Sequence, residues 1–288
     1  MGKDLISPNT RTSSRLLDNS FDLLFAGVNI FKKAGGSFNY QNNLKELKSG
    51  LLLITIAVEL LLKSKIASLN WKKIFEKSRE IDSNKIFTGE FESLKFGKCI
   101  STLKSMSIPI NSETEENIIK IRNTRNKVVH YSYTSNGDEF LTLTSKAIDI
   151  FIEFYRKYIL FDFHEEYDRT KRIDFELKKV NEYIKVRLTT LKENNKGKEK
   201  PLTHYFSECS ICLQKVFIIK DNRIVLCSFC KQEEDIVEVA SHYSNLNKQV
   251  KTCPKCDRKS MTALHTRNEK EVWQCIICGY SLPTKFNQ

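Results

Sequence analysis

The sequence predicts an all-α helical bundle followed by a small β-rich region. Three observations carry that reading. Apolar residues recur at threes and fours through roughly the first 160 positions. Strand-like alternation is absent there and glycine is scarce. Eight of the nine cysteines then fall in four C-x2-C pairs within the last 80 residues.

The helices follow in order. Leu16, Leu17, Phe21, Leu24, Phe25, Val28 and Phe31 share one helical face. A second helix is predicted from about Asn43 to Ala67. It is apolar almost all round in its middle, which suits the centre of a bundle. Shorter apolar repeats follow at Trp71–Phe75 and Leu94–Leu103. Asn111 or Ser112 can cap a further helix, with Glu115 and Glu116 in its favourable first turn, running to about His130. A last one spans about Ser145 to Leu160, rich in Ile and Phe. Helices without strands bury their apolar stripes against one another, so residues 1–163 are expected to form one helical domain.

Residues 164–201 change character. A charged connecting helix is predicted from about Glu165 to Glu193, with Ile173, Leu177, Val180, Ile184 and Leu191 at three-four spacing and Arg187 breaking the seam. The repeat is too short for a coiled coil, so the helix packs on the bundle or links it to the tail. Asn194 to Pro201, with Gly197 among lysines, is a polar hinge.

The tail, residues 202–288, carries Cys209/Cys212, Cys227/Cys230, Cys253/Cys256 and Cys275/Cys278. In order these make two C-x2-C…C-x2-C units with gaps of 14 and 18 residues. Two residues between cysteines let both thiolates reach one metal from a tight turn, and a second such turn completes a tetrahedron. Two structural zinc ions are therefore expected. A disulfide framework competes, but Met1–Arg15 is polar and lacks an apolar signal core, and the regular clustering favours metal. Val216–Ile219, a turn at Asp221-Asn222 and Ile224–Leu226 read as a hairpin between two knuckles, and Glu271–Gln274 leads to Cys275 in the second unit. Gly279 follows the last cysteine, where a tight turn is needed. Over residues 205–284 this pattern resembles the zinc-ribbon family, whose members bind nucleic acid, bind proteins or stabilise a fold. Pairing within each unit is the expected ligation; interleaved pairs are the alternative. Tyr205, Phe206, Phe229, Trp273 and Tyr280 either stack on bases or pack the small ribbon cores. The lone Cys99 reads as a small core side chain.

The net charge of +12 divides into +6 over 1–163, +3 over 164–201 and +3 over 202–288, with no concentrated basic arm. That balance fits a general affinity for polyanions and, equally, plain solvated lysine faces. The longest largely apolar run, Leu51 to Leu62, is 12 residues and contains Thr55 and Glu59. A span needs about 18 to 20. No membrane segment is expected, and a cysteine set of this kind fits a reducing, cytoplasmic setting.

The chemical lead lies between Ile118 and Tyr131. On a helix, Ile118, Ile121, Val128 and Val129 make one apolar stripe with Arg125 pointing into it, while Asn126 and His130 sit side by side on the flank. An arginine on such a stripe is costly unless its charge is paired or holds an anion. Glu59, itself inside an apolar helix, is the candidate partner in a buried ion pair.

These residues also resemble a family. Arg125-Asn126-x3-His130 fits the R-x4-6-H motif of HEPN domains, and Ala57–Lys63 followed by Asn70-Trp71 is similar to their early helix, so the likeness spans about residues 12–163. It implies an all-α fold and, in many members, metal-independent endoribonuclease activity in toxins or defence effectors that act as homodimers with facing motifs. On that resemblance His130 is the acid/base, Arg125 the phosphate and transition-state clamp, Asn126 an orienting hydrogen-bond partner, and Glu59 the group that positions Arg125. RNA is the implied substrate, with no catalytic metal. In family members paired with a small nucleotidyltransferase the motif continues to H-x-Tyr; here Ser132 stands at that place between Tyr131 and Tyr133, which speaks against regulation of that kind. Two other readings stand beside the ribonuclease. One is a non-catalytic module whose bundle dimerises and whose ribbons grip nucleic acid or protein. The other is a ribbon-bearing component of a larger nucleic-acid machine.

Overall fold

The helix expected over Leu16–Phe31 runs from Pro8 to Gly35 (α1) in the computed structural model, and the second from Leu44 to Asn70 (α2). The structure describes residues 7–35, 44–77, 91–130, 137–160, 169–178, 180–194, 208–214, 216–219, 224–242, 250–265 and 271–283. Of the hinge expected from Asn194 to Pro201, Asn194 is the last residue of a helix and 195–201 lie outside the described residues, as do the turn at Asp221-Asn222, Tyr131, Ser132, Tyr133, Tyr205 and Phe206. The chain divides into two units, residues 1–168 with 179–186, and residues 169–178 with 187–288.

The described residues of the first unit are mostly helical, with an isolated antiparallel bridge between Phe75 and Ser93. After α2 come a 3-10 turn at Trp71–Ile74, then α3 (Phe96–Ser105), α4 (Ser112–His130) and α5 (Gly137–Tyr158). α2 is the central element: it packs on α1 along most of its length and also meets α3, α4 and α5. Its burial explains that place, since Leu47, Leu51, Ile54, Val58, Leu61, Leu62 and Ile66 are all in the core. α1 contributes the predicted face, with Leu17, Phe21, Leu24, Val28 and Phe31 buried. Phe21 meets the rings of Phe151 and Tyr155 on α5 edge-on, at 5.2 and 5.0 Å between centroids. α1 and α2 lie close together at Gly27 and Gly50, and at Gly27 a side chain would hold them apart: a Cβ there would lie 2.6 Å from Ile54 Cγ1.

Local chemistry fixes the ends. Asn9 Oδ1 accepts from the Trp71 N–H and its amide donates to the Leu69 carbonyl, tying the start of α1 to the end of α2. Asn111 is the cap of α4, its Oδ1 accepting from the Thr114 N–H at 2.7 Å. Cys99 is buried in the core, and its thiol is pushed up to about 12, chiefly by burial.

The single charged helix expected over 165–193 is two helices, α6 (Arg169–Leu177) and α7 (Asn181–Asn194). Their apolar positions serve different units, because α6 belongs to the second and Val180 and Tyr183 to the first. Arg187 does not merely interrupt a seam: it is 0% exposed.

The second unit carries the strands. β1 (Phe217–Ile219), β2 (Ile224–Cys227) and β3 (Glu233–Asp235) form one antiparallel sheet in that order. The predicted hairpin is its first pair, with Phe217 opposite Cys227. A short helix α8 (Ile236–His242) precedes a second antiparallel sheet of β4 (Lys251–Thr252), β5 (Lys259–His265), β6 (Glu271–Cys275) and β7 (Ser281–Pro283). β6 pairs β5 with Trp273 opposite Ala263. Among the described residues, no helix is long and apolar enough to cross a membrane.

Candidate functional site

All four C-x2-C turns adopt one backbone geometry. The first cysteine's N–H donates to the carbonyl of the residue five places on, and its carbonyl accepts from the residue four places on. That fourth residue is left-handed every time: Leu213, Lys231, Asp257 and Gly279 have φ of 62°, 60°, 54° and 71°. Such a turn points both thiols to one side. Glycine adopts it freely, so Gly279 fits as expected, whereas Leu213 and Lys231 hold a conformation that their side chains disfavour.

The turns pair within each unit. Cys209, Cys212, Cys227 and Cys230 form one group and Cys253, Cys256, Cys275 and Cys278 the other, with the four sulfurs of each group within 4.8 Å of one another. The interleaved alternative is therefore excluded. Sγ separations are 3.4 Å for Cys209–Cys230, 3.6 Å for Cys212–Cys227, 3.6 Å for Cys253–Cys278 and 3.7 Å for Cys256–Cys275. A disulfide would bring sulfurs to about 2 Å. Four thiolates about 2.3 Å from a zinc ion stand about 3.8 Å apart along the tetrahedron's edge, close to these values. Both groups fit a metal ion with all-sulfur ligation.

The electrostatics of the first group point the same way. Hydrogen bonds from Cys209, Cys212 and Cys227 hold Cys230 well below the usual thiol range, and those from Cys212 and Cys227 bring Cys209 to about 7. Cys209 and Cys230 in turn push Cys212 and Cys227 up, because further negative charge so close is resisted. A divalent cation removes that resistance and lets all four ionise together. In the second group burial raises Cys275, but the Cys278 N–H, the Ser260 hydroxyl at 3.1 Å and the Ile277 N–H outweigh it and bring the thiol to about 7. Burial comes first in raising Cys278 to about 12 and in raising Cys256. The first group is fully buried, while Cys256 and Cys278 of the second are half-exposed.

The helical candidates lie on α4 and α2. α4 turns Ile118, Ile121 and Thr124 into the core. Val128 is half-buried, but Val129 is 51% exposed, so the apolar stripe lies nearer Thr124 than the sequence suggests. Arg125 consequently sits at the border of the core, half-buried, and its Nη1 donates to Asn126 Oδ1 at 3.0 Å. His130 ends the helix on the exposed side, one turn beyond Asn126. Glu59 does not hold Arg125. Its Oε1 receives Lys63 Nζ at 2.6 Å, and Lys63 also donates to Ser93 Oγ at 3.0 Å. Lys63 lies four residues on along the same helix, the spacing at which side chains meet without any help from tertiary structure.

Arg122 is a further basic group that the motif did not single out. Its Nε and Nη2 donate to Asn123 Oδ1, and its guanidinium lies against Gly97 of α3, where any Cβ would collide with it. The repeated Arg-Asn pairs at 122–123 and 125–126 were the available signal. Among the described residues, no carboxylate forms an ion pair with Arg122 or Arg125. In the tail, Phe229 is buried, and Trp273 is half-buried beneath Lys251 Nζ at 3.8 Å from its ring centroid.

Comparison with known proteins places the helical unit in a family. A family described as a domain of unknown function, DUF3644, matches residues 15–210, more than half of the chain, and the match ends just past Cys209. No curated protein and no solved structure matches. The chain belongs to the DUF3644 family.

Proposed function

We propose that the chain is a metal-independent endoribonuclease of the HEPN kind, with two structural zinc ribbons that recruit RNA or a partner. The supporting observation is the outer face of α4. Arg125 is set by Asn126, no carboxylate among the described residues neutralises Arg122 or Arg125, and His130 stands exposed one turn further on. Permanent positive charge beside an accessible imidazole suits phosphodiester chemistry. The RNA 2′-hydroxyl loses its proton to a base and attacks phosphorus, and the 5′-oxygen departs with a proton from an acid. The products are a 2′,3′-cyclic phosphate and a free 5′-hydroxyl. An imidazole serves either proton transfer near neutral pH. The Arg125 fork binds the phosphoryl oxygens and stabilises their growing charge. One chain brings one motif histidine, so a two-fold homodimer supplies the second. The resemblance suggests a toxin or defence role. Zinc at the two cysteine groups would hold the ribbons' fold, and as closed sites they leave no position for substrate.

The test is cleavage of single-stranded RNA and tRNA in magnesium-free buffer by the zinc-loaded chain, beside His130→Ala and Arg125→Ala of equal zinc content and melting temperature. The wild type is expected to leave 2′,3′-cyclic ends, and each variant to lose on the order of 100-fold or more in rate. Cleavage that survives His130→Ala would reject the assignment. Tight RNA binding without cleavage would favour the second reading, a binding module, for which Trp273 with Lys251 over its ring is the supporting feature.

A further inference from the structure

The largest fully buried side chain in the described structure belongs to an arginine, Arg187 of α7. A guanidinium stays charged at any pH a protein survives, so its burial demands a specific environment. Its Nη2 donates to the backbone carbonyl of Phe229 at 3.0 Å, and its Cζ lies 5.8 Å from the centroid of the Phe229 ring. Phe229 stands inside the knuckle Cys227-Ser228-Phe229-Cys230, immediately before a cysteine whose sulfur is 3.4 Å from Cys209 Sγ.

Four thiolates around a divalent ion carry a net charge of two minus, and in the first group all four are buried. Removing that charge from water is costly unless a cation is buried with it. The second group differs on both counts. Cys256 and Cys278 are half-exposed, so water shares the task. Ile277, which matches Phe229 in position, receives no side-chain donor on its carbonyl among the described residues. The buried arginine accompanies the site that needs it.

We propose that Arg187 is a positioning residue of the first cysteine site: its guanidinium offsets the charge of a bound divalent metal and pins the second knuckle through the Phe229 carbonyl. Metal retention at the first site then depends on Arg187, and retention at the second does not. This holds whether or not the helical unit cleaves RNA.

The full zinc-loaded chain is exposed to a chelator together with N-ethylmaleimide, and labelled cysteines are mapped by mass spectrometry over time. Partners outside the ligand shell typically change metal affinity by about 10- to 100-fold. Arg187→Met is expected to label Cys209, Cys212, Cys227 and Cys230 faster by about that factor, with the other four ligands unchanged. Arg187→Lys, which keeps charge but loses the planar fork, is expected to fall between. Unchanged labelling of the first site would overturn the proposal, as would equal acceleration at both sites, which marks general loosening. If Arg187→Met does not fold, Arg187→Lys and Phe229→Leu decide: site-selective acceleration in the lysine variant with little change in Phe229→Leu, whose carbonyl remains, upholds the role, and the reverse order refutes it.

Discussion

The crossing of α1 and α2 makes a prediction in which two similar substitutions have opposite sign. Gly27 and Gly50 face each other within helices, and in each the change to alanine contributes about 1 kcal/mol through helix propensity. What differs is the space. At Gly27 the new Cβ would sit 2.6 Å from Ile54 Cγ1 and 3.1 Å from the Gly50 carbonyl oxygen. Cγ1 is the branch of a core side chain and the carbonyl is backbone, so neither moves cheaply, and overpacking of this kind costs about 1 to 3 kcal/mol. Gly27→Ala should therefore lose up to about 2 kcal/mol net. At Gly50 the nearest atoms are the Gly27 oxygen at 3.4 Å and Ile30 Cγ2 at 3.6 Å, which is ordinary contact. Gly50→Ala should gain up to about 1 kcal/mol. In a domain of this size 1 kcal/mol moves the melting temperature by about 2 to 4 °C, so the variants should melt several degrees apart on either side of the wild type. Thermal melts followed by the helical circular dichroism signal read this directly. Equal shifts, or a Gly27→Ala variant that melts higher than Gly50→Ala, would refute the close approach on which the prediction rests.

Other expectations follow from the tail and the core. Thiol titration of the zinc-loaded native chain at pH 8 should find almost no reactive cysteine; a chelator should release eight thiols, and only denaturation should expose Cys99, which is buried and keeps its proton because its thiol is pushed up to about 12. Detection of a ninth thiol before unfolding would contradict that burial. Leu213→Gly should raise stability by about 1 kcal/mol, because Leu213 is left-handed at φ 62° and its 48% exposed side chain contributes little packing. A metal-loaded melt of the variant checks it, and a clear loss would mean that the side chain is needed.

Much of the architecture was legible because it rests on local spacing. The three-four periodicity of Leu17, Phe21, Leu24, Val28 and Phe31 marks a buried face whatever that face meets, and these residues are buried. Asn111 before Glu115 announces a helix start from side chain and backbone alone, and it caps α4. The C-x2-C spacing specifies its own turn, so all four knuckles follow from a few residues each, whereas the choice between pairing within a unit and interleaving was made by the fold. Short strands were harder. β4 and β7 have two and three residues, too few for alternation to register, and pairing with a neighbour defines them. The break between α6 and α7 was hidden for a related reason: Ile173, Leu177, Val180 and Ile184 keep helical spacing across it while the chain passes from one unit to the other.

The candidate site divides along the same line. Sequence alone determined the four C-x2-C turns whose cysteines could hold metal ions, the helix that carries Arg125, Asn126 and His130, and the place of His130 beside Asn126 on its flank, since each depends on neighbours within one or two turns. Tertiary structure decided the partners. It brought Ser93 to Lys63, seated Arg122 on Gly97, and buried Arg187 against the Phe229 knuckle. A charged side chain's partner is set by which groups stand within a few ångströms after the chain has folded, and periodicity records which face is buried but not what lies across from it.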